Sequence, residues 1–301
     1  METTVRIATL LIMFWNLENF FYPQKDVDFS SGEKVVTWKR FRAKRDLISK
    51  TIIAIKDKEG AYPSVIGVCE VENLKTLRNL VYDTPLSRLG YRILHKDSPD
   101  NRGIDVALLY RDDRMILLEY SFFEIKSFKT RDILYAKMLS VELKDTVHFL
   151  VNHWPSKLGG EKKSLPRRME AANLLRHIVD SVQTVNPDAR IIATGDFNDS
   201  PSSPSLQSIT SLENLSLRLK DSLKKAKAPI TGTHRYKGRW EMLDQFLVSK
   251  TINGNIQILS FDHLLQQDKK YLGYKTKRTF IGPRFNGGAS DHLPILLKII
   301  D

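Results

Sequence analysis

The chain has 301 residues, 42% hydrophobic and 27% charged, enough to bury a core without a disulfide or metal staple. Its single cysteine, Cys69, excludes an intrachain disulfide and any cysteine-clustered zinc site. Lysine and arginine number 47 against 35 acidic residues, a net charge of +12, which suits a polyanionic partner such as nucleic acid or anionic lipid, although many basic proteins have neither.

The N-terminal run 7–15 is apolar but too short to span a bilayer. Glu2 precedes Arg6, and the run leads straight into Asn16-Leu-Glu-Asn19. It therefore reads as a strand, with a trimmed or degenerate export signal as the alternative. Residues 1–9 are expected to be flexible or trimmed. No other segment is long and apolar enough to cross a membrane, and a cytoplasmic monomer is expected. Strands are expected at 10–15, 65–69, 106–110, 147–151, 191–194, 242–248 and 295–300. Most are continuous apolar runs, as in strands buried on both faces. Between them, Trp38, Phe41, Ile48, Ile52 and Ile55 recur at helical spacing behind Thr37, a suitable N-cap. A second helix is expected over 165–182, with Met169, Ala172, Leu175, Ile178, Val179 and Val182 on one side. Ser164 precedes it, and Pro166 falls in its first turn, where proline is tolerated. Loops are expected at 23–34, 97–103, 156–163, 200–205 and 274–289. With no repeat and no linker, the pattern implies one α/β domain over 1–301.

Polar residues gather where the apolar runs stop. Asn16, Glu70 and His153 each follow a run, as do Asp196 and Asn198. Asp291 and His292 precede one, and Asp244 interrupts another. If the strands belong to one or two packed sheets, these residues converge on one edge. Such a set suits a hard divalent cation and a phosphate. Glu70 and Asp291 are candidate metal ligands. Asp196 can activate a water, and Asn198 can donate to a phosphoryl oxygen. His292 beside Asp244, and His153 beside another acid, can be held protonated to stabilise developing charge. Residues two apart on an extended segment point the same way, so Asp196 and Asn198 are expected side by side.

Singly, each feature has a bland counterpart. Asp-x-Asn is usually a turn, Glu70 a strand-end charge and Asp291-His292 surface chemistry. Trp154 and Trp240 suit a core or pocket wall as well as a substrate contact. Lys162, Lys163, Arg167 and Arg168 suit a solvated helix start. Asp244 is the least bland, because an unpaired buried carboxylate is costly.

Order and context add to this. Phe14-Trp-Asn16-Leu-Glu-Asn19, Gly67-Val-Cys-Glu70-Val-Glu-Asn73 and the stretch 102–111 come first. Asn152-His153-Trp-Pro-Ser156, Gly195-Asp196-Phe-Asn198-Asp199, Leu243-Asp244-Gln-Phe and Ser290-Asp291-His292-Leu-Pro294 follow. The chain resembles the endonuclease/exonuclease/phosphatase superfamily from Phe14 to Ile299, most closely an uncharacterised bacterial branch. The resemblance implies a four-layered α/β sandwich, two packed mixed β-sheets flanked by helices. It implies a Mg²⁺- or Mn²⁺-dependent phosphoesterase. Glu70 would be the principal metal ligand with Asn16 and Asp291 nearby, and Asp196 would activate water. Asn198 would hold the scissile phosphate, His292 with Asp244 would stabilise its oxygens, and His153 matches the family's other histidine. Asp105, Tyr110, Arg102 and Arg111 are candidate substrate contacts. The basic balance favours nucleic acid as substrate. The alternatives are a phosphorylated small molecule or lipid head group and, from another class, a non-catalytic binding protein.

Overall fold

The computed structural model describes residues 9–23, 35–157, 159–226 and 228–300. In chain order it runs β1 (Thr9–Phe20), α1 (Trp38–Glu59), β2 (Val65–Val71), α2 (Leu74–Tyr82), β3 (Tyr91–His95), β4 (Asp105–Arg111), β5 (Met115–Phe123), β6 (Ile133–Ser140) and β7 (Asp145–His153). Then come α3 (Glu161–Val185), β8 (Arg190–Asp196), α4 (Pro204–Gln207), β9 (Glu213–Asn214), α5 (Leu215–Lys225), β10 (His234–Tyr236), β11 (Arg239–Glu241) and β12 (Asp244–Val248). The chain ends with β13 (Gly254–Ile258), three short strands β14 (Leu265–Gln267), β15 (Tyr274–Thr276) and β16 (Phe280–Ile281), then β17 (Arg284–Phe285) and β18 (Ile295–Ile300).

Two six-stranded mixed sheets carry the architecture, in the orders β13-β18-β1-β2-β4-β3 and β5-β6-β7-β8-β12-β9. Each has one parallel pair at its centre, β1 with β2 and β7 with β8, flanked by antiparallel strands. A long helix crosses over between the members of each pair, α1 in one sheet and α3 in the other. The strands are continuous apolar runs because both faces are covered. In β1, Leu10, Ile12 and Phe14 face the second sheet, while Leu11, Met13 and Trp15 pack under α1 and α2. In β8, Ile192 faces inward and Ile191 and Ala193 pack under α3. Helix, sheet, sheet, helix is the four-layered sandwich expected from the sequence.

Thr37 caps α1, its hydroxyl accepting from the Arg40 N–H at 3.4 Å. Phe41, Ile48, Ile52 and Ile55 are buried, but Trp38 is 44% exposed and meets Tyr22 and Phe41 edge-on. The second helix begins at Glu161, earlier than expected, so Pro166 sits in its second turn. Ser164 lies inside that helix and donates back to the Gly160 carbonyl. The loop expected at 274–289 contains β15, β16 and β17. Residues 1–8, most of the loop at 23–34 and Leu158 of the loop at 156–163 lie outside the described residues.

Gly195 is fixed by close approach. A Cβ there would lie 2.3 Å from the Asn152 carbonyl oxygen across the β7–β8 pair. Backbone cannot yield as a side-chain tip does, so Gly195→Ala is expected to cost about 1–3 kcal/mol, read as a lower urea midpoint. An unchanged midpoint would contradict this packing.

Candidate active site

Four strands deliver side chains from inward-facing positions. Asn16 continues the inner row of Leu10, Ile12 and Phe14. His153 continues Val147, Phe149 and Val151, and Asp196 shares its face with Ile192. Asp244 shares its face with Phe246 and Val248, and pairs directly with Asp196 across β8 and β12. Glu70 breaks this rule. Its place in β2 would send it outward with Ile66 and Val68. A register shift between Cys69 and Val71, and a left-handed φ of 60°, turn it back. Bulges re-aim side chains in this way. Glu18, Asn19 and Asn198 are also left-handed, at φ 45°, 51° and 50°. Non-glycine residues adopt that region at a cost of about 1–2 kcal/mol each.

The side chains meet closely. Asn16 Nδ2 donates to Asp196 Oδ2 at 2.9 Å and lies 3.4 Å from Glu70 Oε1. Its Oδ1 accepts from the Glu18 N–H. Glu70 Oε2 accepts from the Asn19 N–H at 2.8 Å. His153 Nε2 lies 3.8 Å from both Glu70 and Asp196. His292 Nδ1 is 2.7 Å from Asp244 Oδ2, and its Nε2 is 3.9 Å from Asp196 Oδ2. The loop before β18 is tied down by Ser290, whose hydroxyl donates to the Asn16 carbonyl and accepts from the His292 N–H.

Burial sets the charge states. It raises the Asp196 pKa to about 6, opposed by His292 and the Asn198 and Asn16 donors and reinforced by Asp244. Burial opposes protonation of His292, but Asp244, Asp196 and Asp291 together outweigh it and hold His292 well above the usual range. His153 is pushed well below that range by burial and by Arg131 and Arg102. The site thus pairs one charged imidazole with one neutral one. Lys44, fully buried at the rim, is lowered to about 8 by burial despite Glu18 and Asp291.

Asn16, Glu70, His153, Asp196, Asp244 and His292 are therefore brought together. Asn198 is adjacent for a reason other than strand alternation. β8 ends at Asp196, and the left-handed Asn198 turns its own N–H onto Asp196 Oδ1 at 2.9 Å. Its amide donates one hydrogen to the Trp154 carbonyl at 3.0 Å. Asp291 is not free: Arg278 holds its Oδ2 at 2.8 Å. Arg102 is half exposed, 3.7 Å from Asp100, and acts electrostatically on His153. Four substrate candidates are placed elsewhere. Tyr110 and Arg111 pair with Val65 and Tyr91 at the far end of β4, and Arg111 salt-bridges Asp113. Trp154 is buried edge-on against Phe197 and donates to Asn152, so no ring face is open to a substrate. Trp240 packs on the outer core of the first sheet with Arg235 over its ring. Asp105 sits near Glu70, but its oxygens take Ser98 and His95. Arg168 is not a solvated residue; it is fully buried against Asp199.

Sequence reasoning missed Glu18, Lys44, Arg131 and Arg278. Glu18 stands two residues after Asn16 and was visible in that motif. Arg131 binds the His153 and Trp154 carbonyls and Asp100. Arg278 meets Glu18 across 260 residues, with no local signal.

The residues fit a divalent cation. Glu70 is a largely buried carboxylate whose near partners are amide donors and the neutral His153, so its charge lacks a cation within salt-bridge distance among the described residues. Asn16 Oδ1 keeps one lone pair. Hard oxygen donors of this kind suit Mg²⁺-like ions. Asp196, Asp244 and His292 also cluster tightly enough to hold an ion, but the 2.7 Å contact of His292 with Asp244 makes that trio a proton-handling group. A cavity of about 500 Å³ lies at the other end of β7 around Asp145 and His148, away from this chemistry.

Residues 11–301 match the model of the Endonuclease/Exonuclease/phosphatase family. A sequence search of curated proteins gives no match. Among solved structures, the human Nocturnin catalytic domain with bound sulfate is similar at TM-score 0.64 and 19% identity, covering 98% of this chain and 95% of that one. The mannosyl-6-phosphatase of Bacteroides thetaiotaomicron is similar at TM-score 0.64 and 15% identity, covering 97% and 100%. TDP2 from C. elegans is similar at TM-score 0.62 and 13% identity, covering 97% and 75%. No helix among the described residues is long and apolar enough to cross a membrane. Family match over nearly the whole chain, shared fold and a buried site of acids and histidines lead to one assignment: the chain belongs to the Endonuclease/Exonuclease/phosphatase family and is a divalent-metal-dependent hydrolase of phosphoester bonds.

Proposed function

We propose that the chain hydrolyses phosphodiester bonds of DNA or RNA, using Mg²⁺ or Mn²⁺ held by Glu70 with Asn16. The observation that carries the chemistry is the meeting of Asp196 with Asn16, Glu70, His153 and the Asp244–His292 pair at one edge. When bound, the cation neutralises charge on the phosphate and polarises it. Asp196, oriented by N–H donors from Asn16 and Asn198, takes a proton from the attacking water. His292, kept charged by Asp244, donates to a phosphoryl oxygen. His153, kept neutral, offers a second donor beside it. Asn198 has one amide hydrogen left for the phosphate. The two inner sheet faces share one core, which supports reading the chain as one catalytic unit.

The substrate class is supported by charge. A cleft of about 240 Å³ opens beside Asp291 and Arg278 and is lined by Lys237, Lys270 and Lys275. With a net charge of +12, such a rim favours a polyanion. The likeness to a mannosyl-6-phosphatase favours the second reading, a phosphorylated small molecule or lipid head group.

The test is nicking of supercoiled plasmid with Mg²⁺ and with chelator. Metal-dependent nicking supports the nuclease. Its absence, with phosphate released from a phosphorylated-sugar or lipid panel, moves the substrate to the second reading. Reversing Lys237, Lys270 and Lys275 to Glu is expected to raise the polynucleotide KM about tenfold or more, and to flatten its log–log salt dependence by about 2–3. An unchanged salt slope would remove this cleft from the substrate path.

A further inference from the structure

Two carboxylates of the site already have cations. Arg278 reaches Glu18 Oε1 with both Nε and NH2 at 3.0 Å, and Asp291 Oδ2 with NH2 at 2.8 Å. One guanidinium thus bridges both acids. Thr279 completes Glu18 by donating its N–H to Oε2 at 2.7 Å. Lys44 stands beside them, its ammonium donating to the Glu18 carbonyl and the Thr279 hydroxyl at 2.6 and 2.7 Å. Glu18 and Lys44 are each only 4% exposed. A pair of carboxylates bridged by a planar cation has the form that a bridging metal ion would otherwise fill.

We propose that Arg278 takes the place of a second divalent cation, so that the site binds one metal ion and no more. The inference rests on the metal-dependent reading above. The geometry supports it. One guanidinium already occupies both Glu18 and Asp291, whereas Glu70 has no cation within salt-bridge distance among the described residues. Arg131 is committed to Asp100 at 2.9 Å. Like charges crowded in a buried site are costly. A second divalent ion would have to evict Arg278 from two carboxylates or sit beside its guanidinium.

Mn²⁺ titration of the full chain, followed by calorimetry and by the electron-paramagnetic-resonance signal of free Mn²⁺, tests this without reference to turnover. The wild type is expected to bind one Mn²⁺ per chain. Arg278→Met is expected to bind two, the second about tenfold or more weaker. Arg278→Lys, which keeps one positive charge, is expected to return towards one. Circular dichroism shows whether each variant is folded, and the Lys variant keeps the test open if Met is not. Two ions on the wild type, or one on a folded Arg278→Met, would overturn the inference. No Mn²⁺ on the wild type would instead sink the metal-dependent reading itself.

Discussion

Asp196→Asn is expected to lower kcat/KM by about 10³-fold or more, within the 10²–10⁴ range for loss of a positioned general base. The structure says why the fold should survive. Asp196 is 2% exposed and faces Asp244 directly across the β8–β12 pair. Neutralising it removes a buried like-charge contact and the burial cost that raises its pKa to about 6. Against that, the attraction to charged His292 is lost, and one of its two accepted hydrogen bonds, from Asn16 or Asn198, is replaced by a facing donor. The two effects are of similar size, so stability should change by about 1 kcal/mol or less. Turnover on the active substrate, with a urea melt of the same preparation, checks both halves. Turnover within tenfold of wild type would remove Asp196 as the base.

Arg168→Met carries the largest expected effect on stability. Arg168 is fully buried and bonds Asp199 at 2.8 Å, Ser164 at 2.8 Å and the Glu161 carbonyl at 3.3 Å. Asp199 is itself 1% exposed and accepts from Ser205 at 2.7 Å. Removing one partner strands the other charge, a cost of about 3–5 kcal/mol. Burial opposes ionisation of Asp199, but Ser205, Arg168 and Lys157 together hold its pKa below the ordinary carboxylate range. Its folded pKa is thus lower than its unfolded one. The stabilisation is complete above the unfolded value, about 3.9, and is lost as pH falls through the folded value. Urea melts from pH 7 downward read both effects. Adding Asp199→Asn to Arg168→Met should recover part of the loss, because the stranded charge is gone. A loss under 1 kcal/mol would show the pair to be solvated in solution. Asp199 follows Asn198 directly, so loosening it should also lower turnover.

Much of this was legible because alternation has a period of two. Once Leu10, Ile12 and Phe14 face inward, Asn16 must too, and the same reasoning places His153, Asp196 and Asp244. Continuous apolar runs gave the central strands because both of their faces are covered. β5 and β6 escaped notice because Leu118 and Tyr120 are exposed and Lys137 interrupts the second run. Glu70 could be found as a strand-end acid, but not its direction, which depends on a bulge. Asn198 reached its neighbour through a left-handed turn rather than by alternation. Arg278, Lys44 and Arg131 had no sequence signal. Each acquires its partner only when distant segments pack.

The twin arrangement of the two sheets has a last consequence. Asn16 and Glu70 come from one parallel pair, His153 and Asp196 from the other. Among the described residues no strand is shared by these pairs; what separates them is a layer of apolar side chains, Phe14, Val65, Phe149 and Val151 among them. That layer is a spacer whose thickness sets the gap between metal ligand and base. A methylene gained or lost there, with no polar atom touched, would slide one half of the catalytic set against the other. The apolar interior is in that sense a gauge block for the chemistry at its edge, and turnover can drift through substitutions that leave every acid and histidine in place.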